Sequence, residues 1–217
     1  NTVVYAKNLY ERLYPASTTK ILTAYIALKY CDDLDAMVTV SENAVNQASD
    51  SSVCNLKAGD VIRLRDLLYG LMLRSGNDAA VAIAEYISGD VDSFAALMNQ
   101  EAAAMGATRS HFVNPNGLPD ENHYTTASDM ARIAKSAWLN PLYRKFCTRR
   151  YYEIPATNKF AEARQLLNHH KMIKNGEYYY EGVLGGKTGY TDASGNTLVT
   201  YCKRGNMTLV AVILNST

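Results

Sequence analysis

The strongest constraint in this sequence of 217 residues is where its strand and helix signals fall. Near the C-terminus, residues 197–202 and 207–214 are rich in β-branched and aromatic side chains. Lys203-Arg204-Gly205-Asn206 separates them, which is a hairpin signal. Residues 178–183 and 186–190 also read as extended, and a short strand is expected at 3–7. The middle is helical. Residues 17–30 carry Ile21, Leu22, Tyr25, Ile26 and Leu28 on a broad apolar face. A short extended piece at 38–40 follows, then helices at 64–73, 78–87 and 92–105, broken by Ser75-Gly76-Asn77 and Ser88-Gly89-Asp90. Asn114-Pro115-Asn116-Gly117 is turn chemistry, and Thr126 with Asp129 forms a capping box that opens a helix over 127–139. This order predicts an α/β (α+β) fold: an antiparallel sheet formed by both chain ends, flanked by helices, with an inserted mainly helical lobe. The expected division is 1–35 and 150–217 for the sheet-containing lobe and 36–149 for the helical lobe, all within one domain.

Composition narrows the function classes. The formal net charge of +1 suggests neither a nucleic-acid surface nor an anionic membrane. No apolar run approaches the roughly 18 residues that span a bilayer. The chain opens on Asn1 rather than Met, so a preceding segment is expected to have been removed. Cys31, Cys54, Cys147 and Cys202 lack metal-ligand spacing and are too sparse for a disulfide scaffold.

Three short motifs occur in order: Ser17-Thr18-Thr19-Lys20, Ser75-Gly76-Asn77 and Lys187-Thr188-Gly189. Each alone is weak, and a second S-x-N at Ser194-Gly195-Asn196 reads as a turn leading into a strand. Order and setting raise the signal. Lys20 lies one helical turn after Ser17, so their side-chain tips can meet. A serine hydroxyl becomes a good nucleophile when a base takes its proton. A lysine can be that base when burial or a nearby positive charge, such as that of Lys187, lowers its pKa from about 10.4 towards neutrality. The plain alternative makes Ser17 a helix cap and Lys20 a solvated residue. For Ser75-Gly76-Asn77 the plain alternative is a helix stop followed by Asn77 as the next N-cap. For Lys187-Thr188-Gly189 it is a β-turn.

Together with Tyr14-Pro15-Ala16, Asn114-Pro115-Asn116-Gly117-Leu118-Pro119, Thr126-Ala127-Ser128-Asp129-Met130 and Tyr190-Thr191-Asp192, these motifs closely resemble the low-molecular-mass penicillin-binding proteins. These are the serine D-alanyl-D-alanine carboxypeptidases of peptidase family S11. The resemblance runs the length of the chain and implies a β-lactamase/transpeptidase-like fold with no cofactor and no metal. It implies that Ser17 attacks the penultimate D-alanine of a peptidoglycan stem peptide while Lys20 takes the proton. Ser75 and Lys187 would return a proton to the departing D-alanine. Asn77 would hold the substrate amide, and Lys187 and Thr188 its terminal carboxylate, with Gly189 allowing close approach. The backbone N–H groups of Ser17 and Tyr190 would form the oxyanion hole, and β-lactams would acylate Ser17. An extracytoplasmic monomer is implied, with membrane association only through segments outside the chain. Family members also carry a carboxylate-binding arginine beyond the strand after the K-T-G hairpin, a position expected past Thr217.

Three other readings compete. A class A β-lactamase needs a glutamate where this sequence has Arg164, with Glu162 out of register. A β-lactam sensor would share the acylating motifs and differ only in turnover. A zinc peptidase would need ligand spacing that His111, His123, His169 and His170 lack. Tyr178-Tyr179-Tyr180 reads as a strand with one packed face, and Tyr179 or Tyr180 is a candidate to flank the cleft.

Overall fold

The computed structural model describes residues 2–217. Along the chain run α1 (Lys20–Tyr30), β1 (Met37–Thr39), α2 (Glu42–Val45), β2 (Val61–Arg63), α3 (Leu64–Tyr69), α4 (Asn77–Ser88) and α5 (Val91–Ala104). These are followed by α6 (Ala127–Leu139), α7 (Pro141–Cys147), β3 (Tyr151–Ile154), β4 (Arg164–Leu167), β5 (Val183–Thr191), β6 (Gly195–Arg204) and β7 (Met207–Ser216).

Helix α1 organises the core. Ile21, Leu22, Ala24, Ile26 and Ala27 are fully buried, and a helix apolar nearly all round must be enclosed on every side. It packs against α4, α5, α6 and α7. Each large aliphatic side chain removed from water there contributes roughly 1.5–3 kcal/mol. A 3-10 turn, Ala16–Thr19, leads directly into α1, so the residues before the helix are anchored by the best-packed element of the molecule.

The main sheet is antiparallel in the order β5-β6-β7, with Lys187 opposite Val199 and Thr188 opposite Leu198. Its inner face meets α6 and α7. Tyr201 of β6 is fully buried, stacks on Trp138 at 4.2 Å and donates its hydroxyl proton to Ala134 O at 2.9 Å. Strand β5 is an edge of this sheet and so presents a row of backbone groups that no neighbouring strand pairs.

Two expected strands do not form. Residues 3–7 take no strand, and Val3, Val4 and Tyr5 are largely exposed. A β-prone run gains its preference from packing beside a partner, and this segment has none. The first pairing of the N-terminal stretch is an isolated bridge from Leu13 to Thr125. Among the described residues, the main sheet is therefore built from β5, β6 and β7 alone. Tyr178-Tyr179-Tyr180 lies in a turn rather than a strand, bracketed by Gly176 and Gly182 at φ of 151° and 87°. Tyr180 N–H donates to Met172 O, folding the run back on itself. The short pairings β1–β2 and β3–β4 complete the fold, the latter held by Tyr152 stacked on Tyr69 at 3.7 Å.

Candidate active site

A cleft of about 950 Å³ opens between β5 and the helical body, and Ser17, Ser75, Asn77, Thr188, Gly189 and Tyr190 are among the residues that line it. Ser17 sits in the 3-10 turn ahead of α1. Thr18 Oγ1 and Thr197 Oγ1 both donate to Pro15 O, at 2.7 and 3.1 Å, tying that turn to itself and to β6. Ser17 makes no capping bond to the turn or the helix, and Lys20 is fully buried. The helix-cap and solvated-lysine alternatives therefore fail on geometry.

Lys20 Nζ lies 2.9 Å from Ser17 Oγ, 2.7 Å from Asn77 Oδ1 and 2.6 Å from Asn116 O. The last two partners can only accept. A neutral amine has two N–H groups and one lone pair. Satisfying both carbonyl-type oxygens uses both N–H groups and leaves the lone pair for the Ser17 proton. Burial first, and the charge of Lys187 second, push the Lys20 pKa well below the ordinary lysine value, while Cys54 and Asp78 pull it upward.

The Ser75-Gly76-Asn77 turn is shaped by what precedes it. After α3 the chain widens into a π-helical turn, Gly70–Arg74, and Ser75 then adopts the left-handed conformation with φ of 61°. Such widened turns and positive φ values at non-glycine residues cluster at functional sites. Asn77 is the first residue inside α4, with Gly76 in the cap position, and its side-chain oxygen accepts from Lys20. On the facing wall, Lys187 is 2% exposed, and its Nζ donates to Ser75 Oγ at 2.9 Å and Thr188 O at 2.6 Å. Burial lowers its pKa to about 7. An ammonium there has a third N–H to offer an incoming oxygen. The two lysines share one hydroxyl-lined space, so one positive charge is far cheaper than two.

Glycine is required at two contacts. A Cβ at Gly189 would stand 2.8 Å from Ser17 N and 2.4 Å from Thr197 Oγ1, so β5 approaches Ser17 closely only because residue 189 has no side chain. Gly117, at φ of 88°, lies so close to Ala16 that a Cβ would meet Ala16 O at 1.8 Å.

Sequence reasoning missed several participants. The carbonyl of Asn116 was visible only as part of a turn motif, since a backbone acceptor carries no residue signature. His123 Nε2 lies 2.9 Å from Thr19 Oγ1 in the turn that carries Ser17, and burial lowers its pKa to about 4. Of the tyrosine run, Tyr178 rather than Tyr179 or Tyr180 lines the cleft. His169 and His170 also line it, and burial holds each near a pKa of about 4, as neutral imidazoles. Among the described residues, no three His, Cys, Asp or Glu side chains converge as metal ligands would. The four cysteines are free thiols. Neither Glu162 nor Arg164 lines the cleft, and Arg164 instead reaches Asp60 at 3.4 Å.

The family model described as D-alanyl-D-alanine carboxypeptidase, Peptidase_S11, matches residues 1–217. The chain belongs to the D-alanyl-D-alanine carboxypeptidase family. Within that family it is 36% identical over 218 residues to the D-alanyl-D-alanine carboxypeptidase DacF of Bacillus subtilis, covering 99% of this chain and 54% of the relative. DacB2 of Mycobacterium tuberculosis is 35% identical over 202 residues, with 92% of this chain and 66% of the relative covered. This carboxypeptidase-family chain thus spans between about half and two thirds of those relatives' lengths. The crystal structure of a Streptomyces DD-transpeptidase superposes with a TM-score of 0.92 at 32% identity, covering 100% of this chain and 86% of that one.

Proposed function

We propose that residues 1–217 act as one catalytic unit of a serine D-Ala-D-Ala carboxypeptidase. The observation that carries this reading is the placement of Lys20 Nζ, 2.9 Å from Ser17 Oγ and held by two obligate acceptors. In its neutral form both N–H groups are used and the lone pair is left for Ser17. A stem peptide ending in D-Ala-D-Ala would lie along the free edge of β5 as an added strand. Its terminal carboxylate would meet Lys187 and Thr188, and its penultimate carbonyl would sit over Ser17. Ser17 Oγ attacks that carbonyl as its proton passes to Lys20. The oxyanion is held by the backbone N–H groups of Ser17 and Tyr190, each such donor being worth about 3 kcal/mol in the barrier. As the C–N bond breaks, Ser75, backed by the Lys187 ammonium, passes its hydroxyl proton to the departing amine of D-alanine and regains one from Lys20. The proton first taken from Ser17 thus ends on the leaving group, and Lys20 is neutral again. Water then attacks the ester as Lys20 takes its proton, and as the ester C–O bond breaks Lys20 returns that proton to Ser17 Oγ, releasing the shortened peptide and the free enzyme. Asn77 holds the substrate amide while orienting Lys20.

β-Lactams would acylate Ser17 by the same first step. Acting on a cell-wall peptide, the protein would work outside the cytoplasm. Among the described residues no helix is long and apolar enough to cross a membrane. A monomer suffices for this chemistry, since every named group comes from one chain.

Labelling with a fluorescent penicillin and release of D-alanine from a D-Ala-D-Ala peptide test the reading. The wild type is expected to do both, and Ser17→Ala neither. Labelling of Ser17→Ala at the wild-type level would overturn it. Stable labelling without D-alanine release would instead indicate a sensor, and rapid β-lactam hydrolysis a lactamase.

A further inference from the structure

One buried carboxylate beside the cleft has no part in the steps above. Asp78, the second residue of α4, is 2% exposed. Its Oδ1 accepts from the N–H groups of Cys54 at 2.9 Å and Ala79 at 2.8 Å, and its Oδ2 from Cys54 and Leu56, both at 3.0 Å. The Ala79 bond is what an ordinary acid in a first helical turn would make. The other two donors come from a separate segment, 22 and 24 residues earlier in the chain, and a helix-terminal role does not account for them.

Two further contacts join the same pieces. Asn77 N–H donates to Ser52 O at 2.8 Å. The Cys54 thiol fills the space that a side chain on Gly70 or Gly76 would need, with Sγ 2.6 and 2.4 Å from those Cβ positions. The far end of the segment, Asp50, Ser51 and Ser52, forms part of the cleft wall. The turn that carries Ser75 in its left-handed conformation is thus held from below by the segment that also shapes the opening. Asp78 is the bolt between them.

The charges around it bear on Lys20. After burial, the groups that shift the Lys20 pKa are Lys187 from β5, which lowers it, and Cys54 from the 52–56 segment and Asp78 from α4, which raise it. His123 lies beyond Thr19, and the charges of Arg74 and Arg164 act on the Cys54 thiol, partly offsetting the rise in its pKa that burial causes. Asp78 is the buried carboxylate of this set.

We propose that Asp78 is a positioning residue of the site, its carboxylate fastening the 52–56 segment to the Ser75–Asn77 turn and supplying the negative charge that Lys20 feels. This rests on Lys20 being the base of an acylating serine. The effect on rate runs through Ser75, Asn77 and Lys20, and Asp78 itself touches no substrate.

Asp78→Asn keeps the size and one acceptor oxygen but puts an NH2 group, which cannot accept, against the backbone N–H donors of the other oxygen, so it loosens the fastening as well as removing the charge. Asp78→Ala removes the fastening altogether. The experiment measures acylation by a fluorescent penicillin across pH, together with amide hydrogen exchange. Asp78→Asn is expected to acylate roughly ten- to a hundredfold more slowly, because small displacements of reacting groups cost that much. Its acidic limb is expected at lower pH than in the wild type, because an ammonium without its compensating anion gives up its proton more readily. Asp78→Ala is expected to lose exchange protection at Cys54 and Leu56 while the amides of α1 keep theirs. An acidic limb that stays in place in Asp78→Asn, or an unchanged acylation rate, overturns the proposal. A wild type that does not acylate at all removes the functional reading instead, and exchange at Cys54 and Leu56 in Asp78→Asn still decides the fastening. Should Asp78→Ala not fold, Asp78→Asn carries both measurements.

Discussion

The floor of the cleft and its rim are both lined by polar and aromatic side chains, yet they are held in different ways. On the floor, Lys20, Ser75, Asn77 and Lys187 are at most 5% exposed, and their bonds cross between α1, α4, β5 and the Asn116 turn. On the rim, Tyr178 and Tyr190 are 54% and 62% exposed, and the Tyr190 hydroxyl merely reaches Asp192 two residues on. A bond between distant elements fixes atoms only when the whole fold is formed, and a bond within a turn fixes only that turn. The floor is therefore placed by the packing of the molecule, and the rim by its own few residues and by water.

Breaking the floor should have the largest effect. Lys20→Met removes the base and leaves the Asn77 and Asn116 oxygens without a donor, so acylation of Ser17 should fall by roughly 10⁴-fold or more. Stopped-flow measurement with a chromogenic β-lactam would detect it, and acylation within tenfold of wild type would remove lysine from the mechanism. Gly189→Ala comes next. The added methyl must displace β5 from Ser17, so a loss of about a hundredfold in acylation is expected. Overpacking should also lower stability by about 1–3 kcal/mol. Full activity in that variant would mean that the close approach of β5 is unnecessary.

The pH dependence sharpens the contrast. Acylation should rise as Lys20 loses its proton, below the usual lysine range, and fall for carboxylate-bearing substrates as Lys187 discharges near pH 7. A flat profile across that range would contradict the two-lysine arrangement. Stability follows the same groups. Between pH of about 7 and the ordinary lysine range, the unfolded chain binds a proton that folded Lys187 releases, so stability rises with pH there and is lost as pH falls towards 7. The difference in Tm between wild type and Lys187→Met should therefore move in favour of wild type from pH 7 to pH about 10. The smallest effect belongs to the rim. Tyr178→Ala or Tyr190→Ala should alter KM for a peptide by only a few-fold and leave kcat nearly unchanged, as expected when a partly exposed contact contributes uniform binding. A large drop in kcat would mean that the rim takes part in orienting the reacting bond.

The same contrast explains what the sequence discloses. The floor residues stood out because their types, order and spacing around a helix start and a strand marked them as a group, and the fold brings that group together. Helix α1 and the β6–β7 hairpin were legible for similar reasons: one has a continuous apolar face, the other a turn between two β-prone runs. The Tyr178–Tyr180 run misled, because aromatic content predicts a strand only when the backbone has a partner, and Gly176 and Gly182 turn it away from one. Residues 3–7 failed the same way. Asn116 and Asp78 were hidden for a different reason. One acts through a backbone oxygen and the other through amides far along the chain, and neither leaves a local pattern.

The burial of the two lysines also bears on how such a protein meets its surroundings. Dissolved ions screen charges that water can reach, over roughly 8–10 Å at ordinary ionic strength. They have little access to Lys20 or Lys187, which are enclosed by protein on all but the cleft side. Acylation should accordingly be nearly indifferent to added salt while staying steeply responsive to acidity. A protein working where osmolarity swings from hour to hour would keep a steady rate, governed by protons alone.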